Sequence, residues 1–282
     1  MPAISVYPNG CTAYQQRGGE SLHERAKRST VQGWTRNTVR RHTKFLYSVT
    51  TDALSGHGYA PTLTLRELPP DAQSFQTLRT RWTKRIVRMG AIRVHWVIEW
   101  QRRGVPHVHA AVYFDRQLTL TEQKLILLHW VELTAQYGTT MAAQHIASID
   151  GATGWLQYLS KHAARGAAHY QRQGKPAGWE TTGRLWGHTG SWPVQDVQTF
   201  HVPQEAFYRY RRLVRQWRIA DARLEADEVT RRRRIRSARR MLLCGDRKLS
   251  EVRGISEWIP QDQLVRYLAL MADDGSAINQ VV

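Results

Sequence analysis

HWVIEWQRRGVPHVHAAVYF, residues 95 to 114, decides the fold. Two apolar runs rich in β-branched and aromatic residues flank a polar insert that carries Gly104 and Pro106, which is the pattern of a β-hairpin. Along the second run side chains alternate between faces. His107, His109, Ala111 and Tyr113 share one face, and Val108, Ala110, Val112 and Phe114 share the other. The apolar set suits a core, which leaves both imidazoles on the opposite face. Along the first run Glu99 alternates with Val97 and His95. An antiparallel register that sets Glu99 across from His107 brings its carboxylate to the imidazole face. Two imidazoles and one carboxylate then converge at the mouth of the hairpin, a partial shell for a divalent cation with open positions. The competing reading is a pair of surface histidines on a half-exposed sheet.

Composition narrows the partner. The 282 residues carry 41 Lys and Arg against 23 Asp and Glu, a net charge of +18. A field of that size favours polyanions, with nucleic acid ahead of a membrane surface, because no lipidation motif and no sustained apolar helical face rimmed by Lys is found. Hydrophobic residues make up 41% of the chain, enough for a sizeable core and against global disorder. Cys11 and Cys244 are too few and too far apart for a disulfide framework or a zinc ribbon. With no run of membrane-spanning length and no apolar leader, the expectation is a soluble protein of the bacterial cytosol.

Outward from the hairpin, residues 1–42 read as a basic, loosely docked arm of poor periodicity. FLYSVT, 45–50, reads as a strand, and GHGYAP after it as a turn or loop. Asp71 opens a helix to about 89, with Phe75, Leu78, Trp82, Ile86 and Met89 as its apolar stripe and a solvated basic face that includes Arg79. Thr119 and Glu122 have capping-box spacing and open a helix to about Tyr137, closed by Gly138. Residues 141–149 suit a strand. A short helix follows over 153–165, with Tyr158, Lys161, His162 and Arg165 on its exposed face and Leu156, Leu159 and Ala163 turned inward. Short strands are expected at 184–186 and 194–202. From 203 to 282 the chain becomes an Arg-rich helical extension. There Phe207, Tyr210, Leu213, Val214 and Trp217 can dock, and Arg231, Arg232, Arg233 and Arg234 face solvent or DNA. No internal repeat or sustained heptad pattern is present.

Four segments in this order resemble the HUH endonuclease superfamily, in particular the single-tyrosine rolling-circle replication initiators of bacterial plasmids and phages. FLYSVT is similar to the family's first motif, PHVHAAVYF (106–114) to its histidine–hydrophobic–histidine motif, YLSKH (158–162) to its Tyr-x-x-Lys motif, and GRLWG (183–187) to a Trp-Gly segment that follows. The resemblance covers about residues 43–200. It implies an α+β nuclease domain over 43–202, with a central antiparallel sheet of about five strands, a ferredoxin-like palm, flanked by helices. It also implies that His107, His109 and Glu99 hold Mg²⁺ or Mn²⁺, that Tyr158 attacks a DNA phosphate, and that Lys161 favours its phenolate. His162 stands where two-tyrosine members carry a second tyrosine, which leaves Tyr170 as a weak candidate for any second step.

Single-stranded and origin duplex DNA are the implied partners, with Arg102, Arg103, Arg165 and the 231–234 run as phosphate contacts. No G-x-x-x-x-G-K-[ST] occurs, so a host helicase is expected to unwind and a host polymerase to extend. Two rivals stand: a tyrosine transposase or mobilisation relaxase with the same residues, and a non-catalytic basic DNA-binding module with structural histidines.

Overall fold

The alternating apolar opening PAISVY forms strand β1 (Pro2–Tyr7), which turns back into β2 (Gly10–Gln15). This corrects the reading of the first 42 residues as a loose arm. The two strands pair with each other, and their outer partners, β1 with residues 198–201 and β2 with residues 255–257, come from the far end of the chain. The computed structural model describes residues 2–15, 30–151, 154, 155, 158, 162, 166, 167, 169–240, 255–257 and 261–281. The chain divides into two compact units, one of residues 25–194 and one of residues 1–24 with 195–282.

The 25–194 unit begins with helix α1 (Arg36–Ser48), capped by the Thr35 hydroxyl, which accepts the Thr38 N–H at 3.1 Å. FLYSVT is therefore not a strand. Phe45, Tyr47 and Val49 alternate as a strand would, but they end a longer stripe of buried Thr38, His42, Thr43, Leu46 and Tyr47 at helical spacing. Only Val49, just past the helix, makes a single bridge, to Val194. The segment read as a turn is instead the start of β3 (His57–Thr64). Gly58 is needed there for room, because a Cβ would lie 2.8 Å from the Tyr113 ring.

Helix α2 (Ala72–Arg88) starts where Asp71 accepts the Ser74 N–H at 2.6 Å. The expected hairpin follows as β4 (Ala91–Trp100) and β5 (Pro106–Phe114). Helix α3 (Leu120–Leu133) carries the expected Thr119/Glu122 capping box, and a 3₁₀ turn at Ala135–Tyr137 leads to Gly138. β6 (His145–Ile149) and β7 (Trp186–Gly190) complete an antiparallel sheet of order β6-β3-β5-β4-β7. The run β3-α2-β4-β5-α3-β6 is the β-α-β-β-α-β arrangement of a ferredoxin-like palm, and β7 adds an edge. The fold class is α+β.

One face of this sheet is apolar. Phe75, Trp82 and Ile86 of α2 and Ile126 and Trp130 of α3 pack on Val94, Ile98, Val108, Ala110 and Val112. The Trp82 indole N–H donates to the Ile126 carbonyl at 3.0 Å, which ties the two helices together. Arg79 is not on a solvated face. It is buried over the Trp96 ring, its guanidinium carbon 4.3 Å from the centroid. The opposite face carries the polar residues of the hairpin.

In the other unit β1 and β2 join β8 (Gln198–His201), β9 (Ile255–Glu257) and β10 (Asn279–Val281) in the order β10-β8-β1-β2-β9. Helices α4 (Gln204–Arg223), α5 (Glu228–Arg240) and α6 (Gln261–Asp273) accompany this sheet. Phe207, Tyr210 and Val214 are buried with Ile4, Val6, Leu264 and Leu268. The described residues between 203 and 282 are mostly helical, but they also contribute β9 and β10 to a sheet built around the N-terminal hairpin.

Candidate functional site

The hairpin closes tightly: the Gln101 N–H reaches the Val105 carbonyl and the Gly104 N–H the Gln101 carbonyl, each at 2.9 Å. That turn sets the register, in which Glu99 pairs with His107 and Val97 with His109. One donor atom from each of Glu99, His107 and His109 lies within 4.8 Å of the others. Glu99 is 0% exposed and each histidine 7%, which removes the reading of surface histidines on a half-exposed sheet.

Neighbouring side chains aim these donors. The Thr62 hydroxyl, from β3, sits 3.1 Å from His109 Nδ1, and His109 Nε2 faces Glu99 Oε2 at 3.7 Å. A hydroxyl that accepts from Nδ1–H leaves Nε2 as the lone-pair donor, the tautomer a metal ligand needs. Glu99 Oε1 is taken by Arg172, whose Nε donates to it at 2.9 Å. The donor set therefore offers two imidazole nitrogens and one carboxylate oxygen, which suits a divalent cation with open positions.

Arg172 lies in a stretch that carries no periodic signal, and sequence reasoning missed it. It is 1% exposed, its Nη2 donates to the His162 carbonyl at 3.0 Å, and it stacks over Trp34 at 4.2 Å. A buried cation is held by a buried carboxylate, a backbone carbonyl and an aromatic face.

Tyr158 lies inward, not on an exposed face. Gly151, Gly154, Trp155, Tyr158 and His162 are helical, and Tyr158 and His162 are buried. The helix looked amphipathic with its polar side outward, but the sheet face it meets is itself polar. The Tyr158 ring lies 4.6 Å from His162, and His162 lies 5.2 Å from His109, so aromatic contacts run from the tyrosine to the donor set. The Tyr158 hydroxyl is 3.0 Å from His95 Nδ1, and His95 Nε2 is 3.1 Å from His42 Nε2.

Burial pushes the Tyr158 phenol well above its usual range, and the nearby Glu99 charge adds to the effect. Burial lowers His95 to about 3, with His188 a smaller cause, and holds His42 well below the ordinary imidazole value. Both rings are therefore neutral near pH 7, and His95 can accept from the phenol. His42 and His95 were not singled out in the sequence; the one available signal was that His95 shares the face of Glu99.

A family model described as "Replication-associated protein ORF2/G2P" matches residues 58–166. Replication-associated protein G2P of Pseudomonas phage Pf3 is 41% identical over 254 residues, covering 89% of this chain and 90% of its own. A "Putative replication protein" of Xylella fastidiosa (strain 9a5c) is 44% identical over 291 residues, covering 99% of both chains. The chain belongs to the replication-associated protein ORF2/G2P family.

A second Xylella fastidiosa relative (strain Temecula1), again named "Putative replication protein", is 45% identical over 92% of this chain and 99% of its own. No solved structure matches. The ORF2/G2P match begins in β3 and runs past Tyr158, so it spans Glu99, both histidines and the tyrosine. It agrees with the resemblance to rolling-circle replication initiators, and a role in replication initiation follows from membership.

The other expected site residues fall in different places. Lys161 and Arg165 lie outside the described residues. Arg103 donates through Nη1 to the Arg66 carbonyl at 2.5 Å and through Nη2 to the Leu65 carbonyl, so it braces the end of β3. Arg102 is exposed at the hairpin turn. Arg232, Arg233 and Arg234 are exposed on α5. Arg232 pairs with Glu228, Arg234 pairs with Glu225 at 3.2 Å, and half-buried Arg231 donates to the Glu225 carbonyl at 3.3 Å. No helix among the described residues is long and apolar enough to cross a membrane.

Proposed function

We propose that the chain nicks one DNA strand at an origin to start rolling-circle replication, with Tyr158 as nucleophile. The observation that carries this reading is the convergence of Glu99, His107 and His109 on a buried sheet face beside Tyr158. A Mg²⁺ or Mn²⁺ ion held by those three residues would polarise the scissile phosphate and offset charge in the transition state.

The Tyr158 oxygen attacks phosphorus, an O–P bond forms, and the bond to the 3′ oxygen breaks. The products are a 5′-phosphotyrosine and a 3′-hydroxyl that a polymerase extends. The phenolic proton must leave as the bond forms. His95 Nδ1, at 3.0 Å, accepts its hydrogen bond and orients the hydroxyl. Because burial makes that imidazole a weak base, the proton passes on to the departing 3′ oxygen. Lys161, three residues on, is the cation we assign to favour the phenolate. Because the covalent link preserves the energy of the broken phosphodiester, the same site can rejoin ends after a round of synthesis.

The substrate is single-stranded DNA exposed at the origin. The +18 charge and the Arg-rich α5 support binding of the flanking duplex, with host helicase and polymerase as further partners in the bacterial cytosol. A transposase or relaxase would use the same residues, but the relatives named for replication favour an initiator.

The test incubates the protein with labelled single-stranded DNA of its own replicon, in Mn²⁺ or EDTA, and reads a denaturing gel. A metal-dependent covalent adduct is expected, absent in Tyr158→Phe and in His107→Ala/His109→Ala. Tight binding without adduct or cleavage in any metal would overturn the enzyme reading and leave a non-catalytic DNA-binding module.

A further inference from the structure

From Trp100, the residue after Glu99, the surface opens into a cavity of ≈ 440 Å³, between the turn of the β4–β5 hairpin and the segment around Tyr170. We propose that this cavity seats an unpaired nucleotide of single-stranded DNA, with its base stacked on Tyr170 and its phosphates on Arg102 and Lys175. The inference rests on the reading that the protein acts on single-stranded DNA, and it adds the side chains that hold the strand next to the candidate metal centre.

The lining chemistry points to a nucleotide. Tyr170 is 54% exposed, in contrast to Tyr158 at 8%, and the tilted His169 ring, 4.7 Å away between centroids, flanks it while leaving it open to solvent. Arg102 hangs over that ring with its guanidinium carbon 5.7 Å from the centroid, near the outer limit of a cation–π contact. Such a loose cap can swing aside to a phosphate while a base takes its place on the ring. Lys175, whose Nζ donates to the Glu180 carbonyl at 2.8 Å, adds a second cation, and no carboxylate is among the described residues that line the cavity. Aromatic face and cations together are the combination that binds single strands with little sequence preference, because every base has a π face and every linkage a charge.

Placement adds the second argument. Tyr170 opens a 3₁₀ turn, Tyr170–Arg172, whose last residue is clamped on Glu99 at 2.9 Å. Across the cavity, Trp100 follows Glu99 directly and Arg102 comes two residues later, on a turn closed by backbone hydrogen bonds. Both walls are thus anchored to the same candidate metal ligand, so a base seated here is registered against the donor set and not merely held nearby. This gives Tyr170 a role as platform, in place of the second nucleophile for which the sequence left it as a weak candidate.

The experiment measures anisotropy of two labelled twenty-nucleotide probes on the full chain in a Tyr158→Phe background, where no adduct complicates binding. One probe is oligothymidylate, and the other is the same sugar–phosphate chain without bases. Tyr170→Ala is expected to weaken oligothymidylate binding about tenfold or more and to leave the abasic chain unchanged. Tyr170→Trp is expected to restore the difference, which separates stacking from loss of fold. Arg102→Ala and Lys175→Ala should weaken both probes alike. Equal affinities of Tyr170→Ala and its parent for oligothymidylate would overturn this inference alone. Absence of binding to either probe by the parent would overturn it together with the proposed function.

Discussion

The Arg172 guanidinium donates through Nε to Oε1 of Glu99 at 2.9 Å, and neither side chain reaches solvent. Two opposite charges out of water are tolerable only as a pair, because either alone is left in a medium that cannot solvate it. The pair also turns the carboxylate so that its other oxygen faces His109.

Arg172→Met should therefore cost about 3–5 kcal/mol of stability, the usual penalty for stranding one partner of a buried ion pair. Urea unfolding followed by far-UV circular dichroism reads it as a lower midpoint with an unchanged slope. The double variant Arg172→Met/Glu99→Leu should recover most of the loss, since no buried charge is then stranded. A single variant within about 1 kcal/mol of the parent would show that water reaches Glu99.

The paired histidines predict a pH dependence. His95 titrates near 3 in the folded chain against about 6.5 unfolded, and His42 is displaced the same way. As pH falls below about 6.5, the unfolded chain takes up protons that the folded chain refuses. Stability should therefore decline by up to about 1.4 kcal/mol per pH unit for each imidazole, and for His95 should level off near pH 3. Urea midpoints between pH 7 and pH 4 measure the slope, and His95→Gln should flatten it by one proton's share. An unaltered slope in that variant would place the titrating group elsewhere.

How much of this was legible depended on the range of the signal. The hairpin was, because Glu99, His107 and His109 lie within eleven residues and period-2 alternation with a Gly/Pro turn fixes their faces. Helices α2 and α3 were, because Asp71 and Thr119 cap long periodic stripes. FLYSVT misled because six residues fit either period, and only the stripe running upstream to Thr38 reveals the helix. The β1–β2 hairpin was locally encoded, PAISVY turning back at Pro8-Asn9, and was missed because it was read together with the basic stretch that follows. Only its outer pairing, Ile4 with Phe200, is a contact no local pattern encodes. Arg172 was hidden because a buried cation is decided by what surrounds it, and its partners come from β4, residue 162 and Trp34.

Gly187 explains part of the Trp-Gly segment. On β7 it faces Trp96 of β4, and a Cβ there would overlap the indole ring. Gly187→Ala should cost about 1–3 kcal/mol through overpacking. Trp96→Leu in the same chain should relieve the overlap, so that the two changes together cost less than their sum. Thermal unfolding of the three variants measures the coupling. Strict additivity would mean that the edge strand moves away freely.

The Thr62 hydroxyl provides the test that separates ligand orientation from ligand identity. It contacts His109 Nδ1 at 3.1 Å, on the side of the ring away from Glu99. Thr62→Val keeps the shape and all three candidate ligands but removes the acceptor that selects the Nδ1–H tautomer. Partners of this kind commonly contribute 10–100-fold to metal affinity. Calorimetric titration with Mn²⁺ should show about that loss in Thr62→Val and no measurable binding in His107→Ala/His109→Ala. Thr62→Ser, which restores the hydroxyl, should bind as the parent does. If Thr62→Val binds Mn²⁺ with parental affinity while the double histidine variant does not, the ring is oriented by the sheet alone. If all variants bind equally, Glu99, His107 and His109 do not hold the ion.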